Sequence, residues 1–318
     1  MGGVCLPPMP EQFASLTWWW VPLTIFAAAA QTVRNSAQRN LTQQVGTLSA
    51  TLVRFLYGLP FAALCLLLLY VLPKEMPAIP HFSWSYAAWI AVGALFQVGA
   101  TAALLLAMKE RNFAVAVTLA KTEILQVALF AAILLQELPS GMGVLAMVVA
   151  TVGVLMLSLP PKGQLLSWQA WCSKSALYGL MAGACFAAAV VGFRGGALAL
   201  QVESPWLSGA WGVLVAQSLQ SVCLGAWVAY KHPQGLMPIF RAWKISLLAG
   251  SMGAAASLAW FSAYALQTPA AVRTLGMVEV LFSYLVSRRM FSESFSTAEK
   301  VGMALMLLGL VLICLQGL

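Results

Sequence analysis

The sequence predicts an all-α membrane protein of ten transmembrane helices, arranged as two inverted five-helix repeats. Three observations carry that expectation. Of 318 residues, 61% are hydrophobic and only 8% are charged, with a mean hydropathy of +0.87, whereas a soluble domain needs roughly a quarter of its residues charged to cover its surface. The apolar residues fall into long uninterrupted runs. Stretches of the second half also repeat stretches of the first.

A helix crosses the hydrocarbon core with about 20 predominantly apolar residues. Runs of this kind occupy Thr17–Leu41, Leu48–Leu72, Trp84–Met108, Phe113–Leu135 and Gly141–Leu159 in the first half. In the second half they occupy Ala176–Leu200, Leu207–Tyr230, Trp243–Leu266, Pro269–Ser287 and Ala298–Leu315. Backbone polar groups in lipid must be satisfied within the segment, so long apolar runs form helices, not alternating barrel strands. Trp18 to Trp20, Trp84, Trp168, Trp171, Trp206 and Trp243 fall at run ends, where amphipathic rings anchor at the membrane surface. Trp227 and Trp260 lie inside runs and are read mainly as packing residues. Gly179 with Gly183, and Gly192 with Gly196, have the small-xxx-small spacing that lets helices approach closely.

Short loops rich in Lys and Arg remain cytoplasmic. The loops after the third, fifth, seventh and ninth spans hold Lys109 and Arg111, Lys162 and Lys174, Lys231 and Arg241, and Arg288 and Arg289. Lys244 and Lys300 lie at their borders. The opposite loops hold only Lys74, which puts both termini outside. The net charge of +8 is accounted for by this bias, and without a soluble basic domain no nucleic-acid partner is expected. No Lys or Arg precedes the first span, so no cleavable signal is expected.

The repeat is visible in particular residues. Phe26–Arg34 reads FAAAAQTVR and Phe186–Arg194 reads FAAAVVGFR, an offset of 160, at which Tyr70 and Pro73 also fall on Tyr230 and Pro233. Glu123, Glu137 and Gly153 recur as Glu279, Glu293 and Gly309, an offset of 156. The halves are therefore 1–160 and 161–318. Five is odd, so the two copies cross the membrane in opposite senses, and the exchanged loop charges agree with this. Inverted repeats around a midplane site are the architecture of alternating-access transporters.

The segment from Ala107 through Leu157, beginning AMKERNFAVAVTLAKTEILQVALFAAILLQE, resembles the repeat of EamA-type carriers in the drug/metabolite transporter superfamily. Ala107-Met108, Glu123, Gln136-Glu137 and Gly153 follow that pattern, as do Ala265-Leu266, Glu279, Ser292-Glu293, Gly302 and Gly309 in the second copy. Arg54 sits where the family often places an Arg. Neither Glu123 nor Glu279 is followed by the Pro common there. The resemblance implies a secondary permease of the bacterial inner (plasma) membrane, exporting amino acids or related small polar compounds.

An ionisable group in a spanning helix costs several kcal/mol, about 2.5–3.5 at the helix centre, so it must be paired or face a cavity. The candidates are Arg34, Arg54, Lys121, Glu123, Arg194, Arg273 and Glu279. Glu123 is residue 11 of 23 in its span and Glu279 residue 11 of 19, both near the midplane. Arg34, Lys121, Glu123, Arg194 and Glu279 are the expected substrate-binding residues, with Glu123 and Glu279 the candidates for a coupling proton. An excess of Arg would also suit anionic metabolites such as organic acids, sugar phosphates or nucleotide-linked compounds. The competing reading is that Arg and Glu pair to lock helices, while Arg54 and Arg273 snorkel to the interface. Lys121 and Glu123 are two apart on one helix and so are expected to face different ways. Gln31, Asn35, Gln38, Gln97, Gln126 and Gln217 add polar cavity candidates.

Enzymatic chemistry is not expected. No residue is Asp, which excludes aspartic proteolysis, a Walker-B metal site and an aspartyl-phosphate pump. His81 and His232 fall in loops, and neither HExxH nor GxSxG occurs. The six cysteines have no CxxC spacing and read as small apolar residues, so no metal or other cofactor is expected. No ATP-binding loop is present, so transport energy comes from a gradient or exchange. The expected partners are a small-molecule substrate, membrane lipid and protons, in a monomer or homodimer. The remaining alternative is a non-transporting membrane scaffold.

Overall fold

The structure is a computed structural model that describes residues 17–108, 116, 119–158, 173–202, 204–231, 233–282 and 297–316. The described residues contain helices and no strand. After a 3-10 turn at Thr17–Trp19 come α1 (Trp20–Val45), α2 (Thr47–Leu56), α3 (Leu59–Val71), α4 (Trp84–Met108), α5 (Glu123–Leu134) and α6 (Gly141–Ser158). Then follow α7 (Lys174–Leu200), α8 (Pro205–Lys231), α9 (Leu236–Arg241), α10 (Trp243–Leu266), α11 (Pro269–Gly276) and α12 (Thr297–Gln316). A further helical turn covers 278–282.

Six helical stretches among the described residues are long and apolar enough to cross a membrane. They are Thr47–Val71 (α2 with α3), Trp84–Leu104, Lys174–Leu200, Pro205–Lys231, Trp243–Leu266 and Thr297–Gln316. The other four predicted spans differ. The first, α1, has 26 residues, but from Gln31 onward it carries Gln31, Arg34, Asn35, Gln38 and Asn40. The fifth, α6, has 18 residues, and the fourth and ninth are interrupted.

Each interruption has a local cause or a local bonding pattern. The second predicted span breaks at Tyr57 and Gly58 because Pro60 has no N–H to offer the Leu56 carbonyl. In the fourth, Lys121 and Thr122 form a turn in which the Thr122 N–H and hydroxyl both donate to the Leu119 carbonyl. In the ninth, the Met277 N–H donates to Thr274 O, and Val280 N–H to Met277 O, the tighter i→i+3 pattern of a 3-10 turn.

The outer surface, unlike that of a soluble protein, is apolar along several helices. Leu64, Leu67, Leu68 and Val71 of α3, Leu125, Leu129 and Ile133 of α5, and Leu307, Leu308 and Val311 of α12 are exposed at helical spacing. Trp84 and Trp243, the first residues of α4 and α10, are exposed as interfacial anchors would be, as are Trp18 and Trp19, whereas Trp20 is buried. Cys65, Cys185 and Cys314 are half-buried and Cys223 is exposed, so these cysteines face outward more than expected for packing residues.

The interior is closed by small residues. The most extensive packing joins α4 with α7, α6 with α12, and α1 with α10. A methyl on Gly192 would come 2.7 Å from the Gly93 nitrogen. One on Gly153 would come 2.5 Å from Met306 N, and one on Gly309 would come 2.6 Å from Ala150 Cβ. The expectation that the small-xxx-small glycines are structural therefore fits the packing of α7. The predicted loop residues Lys109, Arg111, Lys162, Arg288 and Arg289 lie outside the described residues, as do Glu293, His232, Cys5 and Cys172.

Candidate functional site

Polar groups inside the bundle collect where α1, α5, α10 and α11 meet. Glu123 is the first residue of α5, immediately after the Lys121-Thr122 turn. Its Oε1 lies 2.8 Å from Arg273 Nη2 of α11, an ion pair whose angle does not make a hydrogen bond. The Arg273 guanidinium also lies 5.3 Å from the ring centroid of Trp260, a cation–π contact. Arg273 thus points inward and is neutralised there; it does not snorkel to the interface.

Glu279 sits two residues past the Met277 turn. Asn35 Nδ2 donates to its Oε1 at 2.8 Å, and Gln31 Nε2 donates to its Oε2. The Trp260 indole N–H in turn donates to Gln31 Oε1 at 3.1 Å. Gly276 makes this possible, because a methyl there would come 2.5 Å from the Trp260 ring. Arg34 donates to Asn35 Oδ1 from Nη2 at 2.7 Å and from Nε at 3.2 Å. A polar chain therefore runs from Arg34 through Asn35, Glu279, Gln31 and Trp260 to Arg273 and Glu123.

Lys121, Glu123, Arg273 and Glu279 line one cavity of about 40 Å³, room for a few waters and too small for a metabolite. Lys121 is otherwise exposed. Lys121 and Glu123 both line this cavity despite being two residues apart, contrary to the expectation that they face different ways.

Arg194 lies apart from this chain. Its Nη2 and Nε bond Glu137 Oε1 at 2.7 and 3.0 Å, and its Nη1 donates to the carbonyls of Tyr264 at 2.5 Å and Ala265 at 3.1 Å. It ties α7 to the α5–α6 connection and to the last turn of α10. At the opposite end of α8 and α10 is a wide cavity of about 930 Å³. Gln44, Thr47, Ser49, Trp227, Lys231 and Gln234 are among its walls. The 24 residues of α10 separate the two ends by about 36 Å at 1.5 Å per residue.

Of the five expected binding residues, then, Lys121, Glu123 and Glu279 come together, Arg34 joins them through Asn35, and Arg194 does not. Among the other polar candidates, Gln31 and Asn35 hold Glu279. Gln97 accepts from Gln220 at 2.7 Å, and Gln126 donates to Thr122 Oγ1 at 3.0 Å. Gln217 is buried against Gly58 with neither amide atom bonded among the described residues. In the sequence Glu137 stands out only by its repeat position and its place in the EamA-type pattern; its role as the partner of Arg194 needs the fold.

No family model matches this sequence, and no curated protein matches it. The fold itself has been seen before. One solved structure, described only as the crystal structure of a protein, superposes with a TM-score of 0.70 over 95% of this chain and 97% of its own, at 17% identity. Likeness at that identity is a likeness of fold alone.

Proposed function

We propose that the protein is a secondary active transporter of small polar metabolites, an EamA-like carrier of two inverted five-helix repeats working by alternating access. The observation that carries this reading is the pair of helix breaks. The turns at Thr122 and Met277 fall at corresponding places in the two halves, and each is followed within two residues by a buried or half-buried Glu. Interrupted helices beside ionisable groups near the membrane midplane are what a transporter binding site uses.

The packing supports the inverted repeat. Under the repeat, α4 with α7 is the third span on the sixth, and α1 with α10 is the first on the eighth, so the two pairs exchange under the two-fold. The α6–α12 pair maps on itself, with Gly153 and Gly309 each at a close approach to the other helix. The two ends are unlike: the Arg194–Glu137 end is tied shut while the other holds the wide cavity. With Lys231 and Arg241 at the open end, the positive-inside rule makes this an inward-open state. The reading includes a bacterial inner membrane location, export of amino acids or related compounds, and a proton carried by Glu123 or Glu279.

The test is flux. Purified protein in liposomes should exchange or accumulate at least one member of a panel of amino acids, organic acids and sugar phosphates with saturable kinetics. Glu123→Gln and Arg34→Ala should lose that flux while eluting as folded protein. Unchanged flux in both would remove the site assignment, and no flux for any compound would favour the scaffold reading.

A further inference from the structure

Among the described arginines inside the bundle, two have no carboxylate of their own. Among the described residues the ion pairs are Arg194–Glu137 and Arg273–Glu123, and the two oxygens of Glu279 accept from Gln31 and Asn35. Of the arginines inside the bundle, that leaves Arg34 and Arg54; Arg241 is exposed. Arg34 is 5% exposed, and while Nε and Nη2 reach Asn35 Oδ1, the buried Nη1 has no acceptor among the described residues. Arg54, half-buried in α2, has its enclosed Nε likewise without an acceptor, and its guanidinium lies 5.1 Å from the Phe55 ring centroid.

The two side chains come from different helices and meet on a third. A methyl at Gly253 of α10 would stand 3.3 Å from Arg34 Cδ and 3.5 Å from Arg54 Cγ. Both stems therefore lie against the same bare Cα, and the charges of Arg34, Arg54 and Glu279 act on one another. Two cations brought together out of water repel one another and have each given up hydration. Glu279 offsets at most one of them, and reaches Arg34 only through the Asn35 amide. Asn35 and Glu279 are not sealed away, since Asn35 is exposed and Glu279 half-exposed.

We propose that Arg34 and Arg54 together bind an oxyanion, a carboxylate or phosphate, of the transported compound. The planar guanidinium forks supply paired N–H donors of the geometry such groups accept, and the bound anion supplies the charge that the bundle lacks there. The assignment rests on the transporter reading for the word "transported", and it narrows the substrate class from polar metabolites to acidic or zwitterionic ones. Arg54, which the helix-end position suggested would reach for the interface, becomes a binding residue.

The experiment uses the full-length protein in neutral-lipid nanodiscs, with succinate, its uncharged diamide succinamide, and inorganic phosphate as probes. Melting temperature and calorimetric affinity are the readouts. Succinate or phosphate should raise the melting temperature, because a ligand that binds only the native state stabilises it by mass action, and succinamide should not. Arg54→Lys, which keeps the charge and so the fold, should weaken binding about tenfold by losing the fork geometry. Arg54→Gln and Arg34→Gln should abolish it.

Equal response to succinate and succinamide, or an affinity unchanged in all three variants, overturns the proposal. Stabilisation by phosphatidylglycerol nanodiscs alone, lost in Arg54→Gln, assigns the site to a lipid headgroup and also overturns it. Saturable transport of an uncharged compound, indifferent to both arginines, overturns the oxyanion site and leaves the transporter standing. Arginine-dependent binding of succinate in a protein that moves nothing does the reverse.

Discussion

Arg194 Nη2 lies 2.7 Å from Glu137 Oε1, both side chains being nearly nine-tenths buried. In sequence, the FAAAAQTVR stretch that ends in Arg34 matches the FAAAVVGFR stretch that ends in Arg194, and Arg34 binds an amide oxygen where Arg194 binds a carboxylate. On the proposed reading of two inverted repeats, such matching residues with unequal partners are what an alternating-access carrier requires in any single state.

Removing Glu137 leaves the Arg194 charge buried with only carbonyl partners. Glu137→Ala should lower stability by about 3 kcal/mol, the low end for breaking a buried pair because slight exposure screens it. Melting of the purified variant measures this, and a loss below about 0.5 kcal/mol would mean that the pair is no more than a surface contact.

Glu279→Gln leaves the Gln31 and Asn35 amides with one acceptor oxygen where there were two. If Glu279 carries the coupling proton, the variant should still exchange substrate across the membrane at equilibrium but fail to accumulate it on a pH gradient. Accumulation at the wild-type level would remove Glu279 as the proton carrier. Glu123→Gln is expected to lose more stability than Glu279→Gln, because it strands a cation, Arg273, instead of neutral amides.

Gly153→Ala and Gly309→Ala each push a methyl into the facing helix at 2.5–2.6 Å. Overpacking of this kind costs about 1–3 kcal/mol, and the two variants should fall in melting temperature by similar amounts. A neutral effect in either would show that α6 and α12 slide apart without penalty.

Gly276→Ala displaces the Trp260 ring and with it the indole hydrogen bond to Gln31. On the proposed transporter reading, the expected result is lower transport affinity with intact folding, read as a raised KM at similar kcat. An unchanged KM would separate Trp260 from the binding region.

Much of this could be read in the sequence. The apolar runs give the helical bundle, and the unrelieved cost of a charge in lipid singles out Glu123 and Glu279 as residues that need a partner or a cavity. The partners were less legible. Arg273 stands five residues into a predicted span and so looked interfacial, while the Glu123 it meets is on a helix remote in sequence. The turn at Thr122 has no Pro or Gly to announce it; it depends on a hydroxyl bond to Leu119 O that any Thr in a helix is able to make. The break before Pro60 did have its signal in Gly58-Leu59-Pro60, overridden by the apolar run on both sides. The isolation of Arg34 and Arg54 was hidden for another reason: it depends on which carboxylates other arginines claim.

The most direct test of alternating access is the width of the wide cavity when the other end is unlocked. Spin labels at Gln44 and Gln234, both exposed on its wall, report that width as a distance in nanodiscs, in a background with the native cysteines replaced. Glu137→Gln, which weakens the Arg194 tie, should move weight to a shorter Gln44–Gln234 distance, because opening one end closes the other. A single distance distribution, identical in both proteins, would contradict the account.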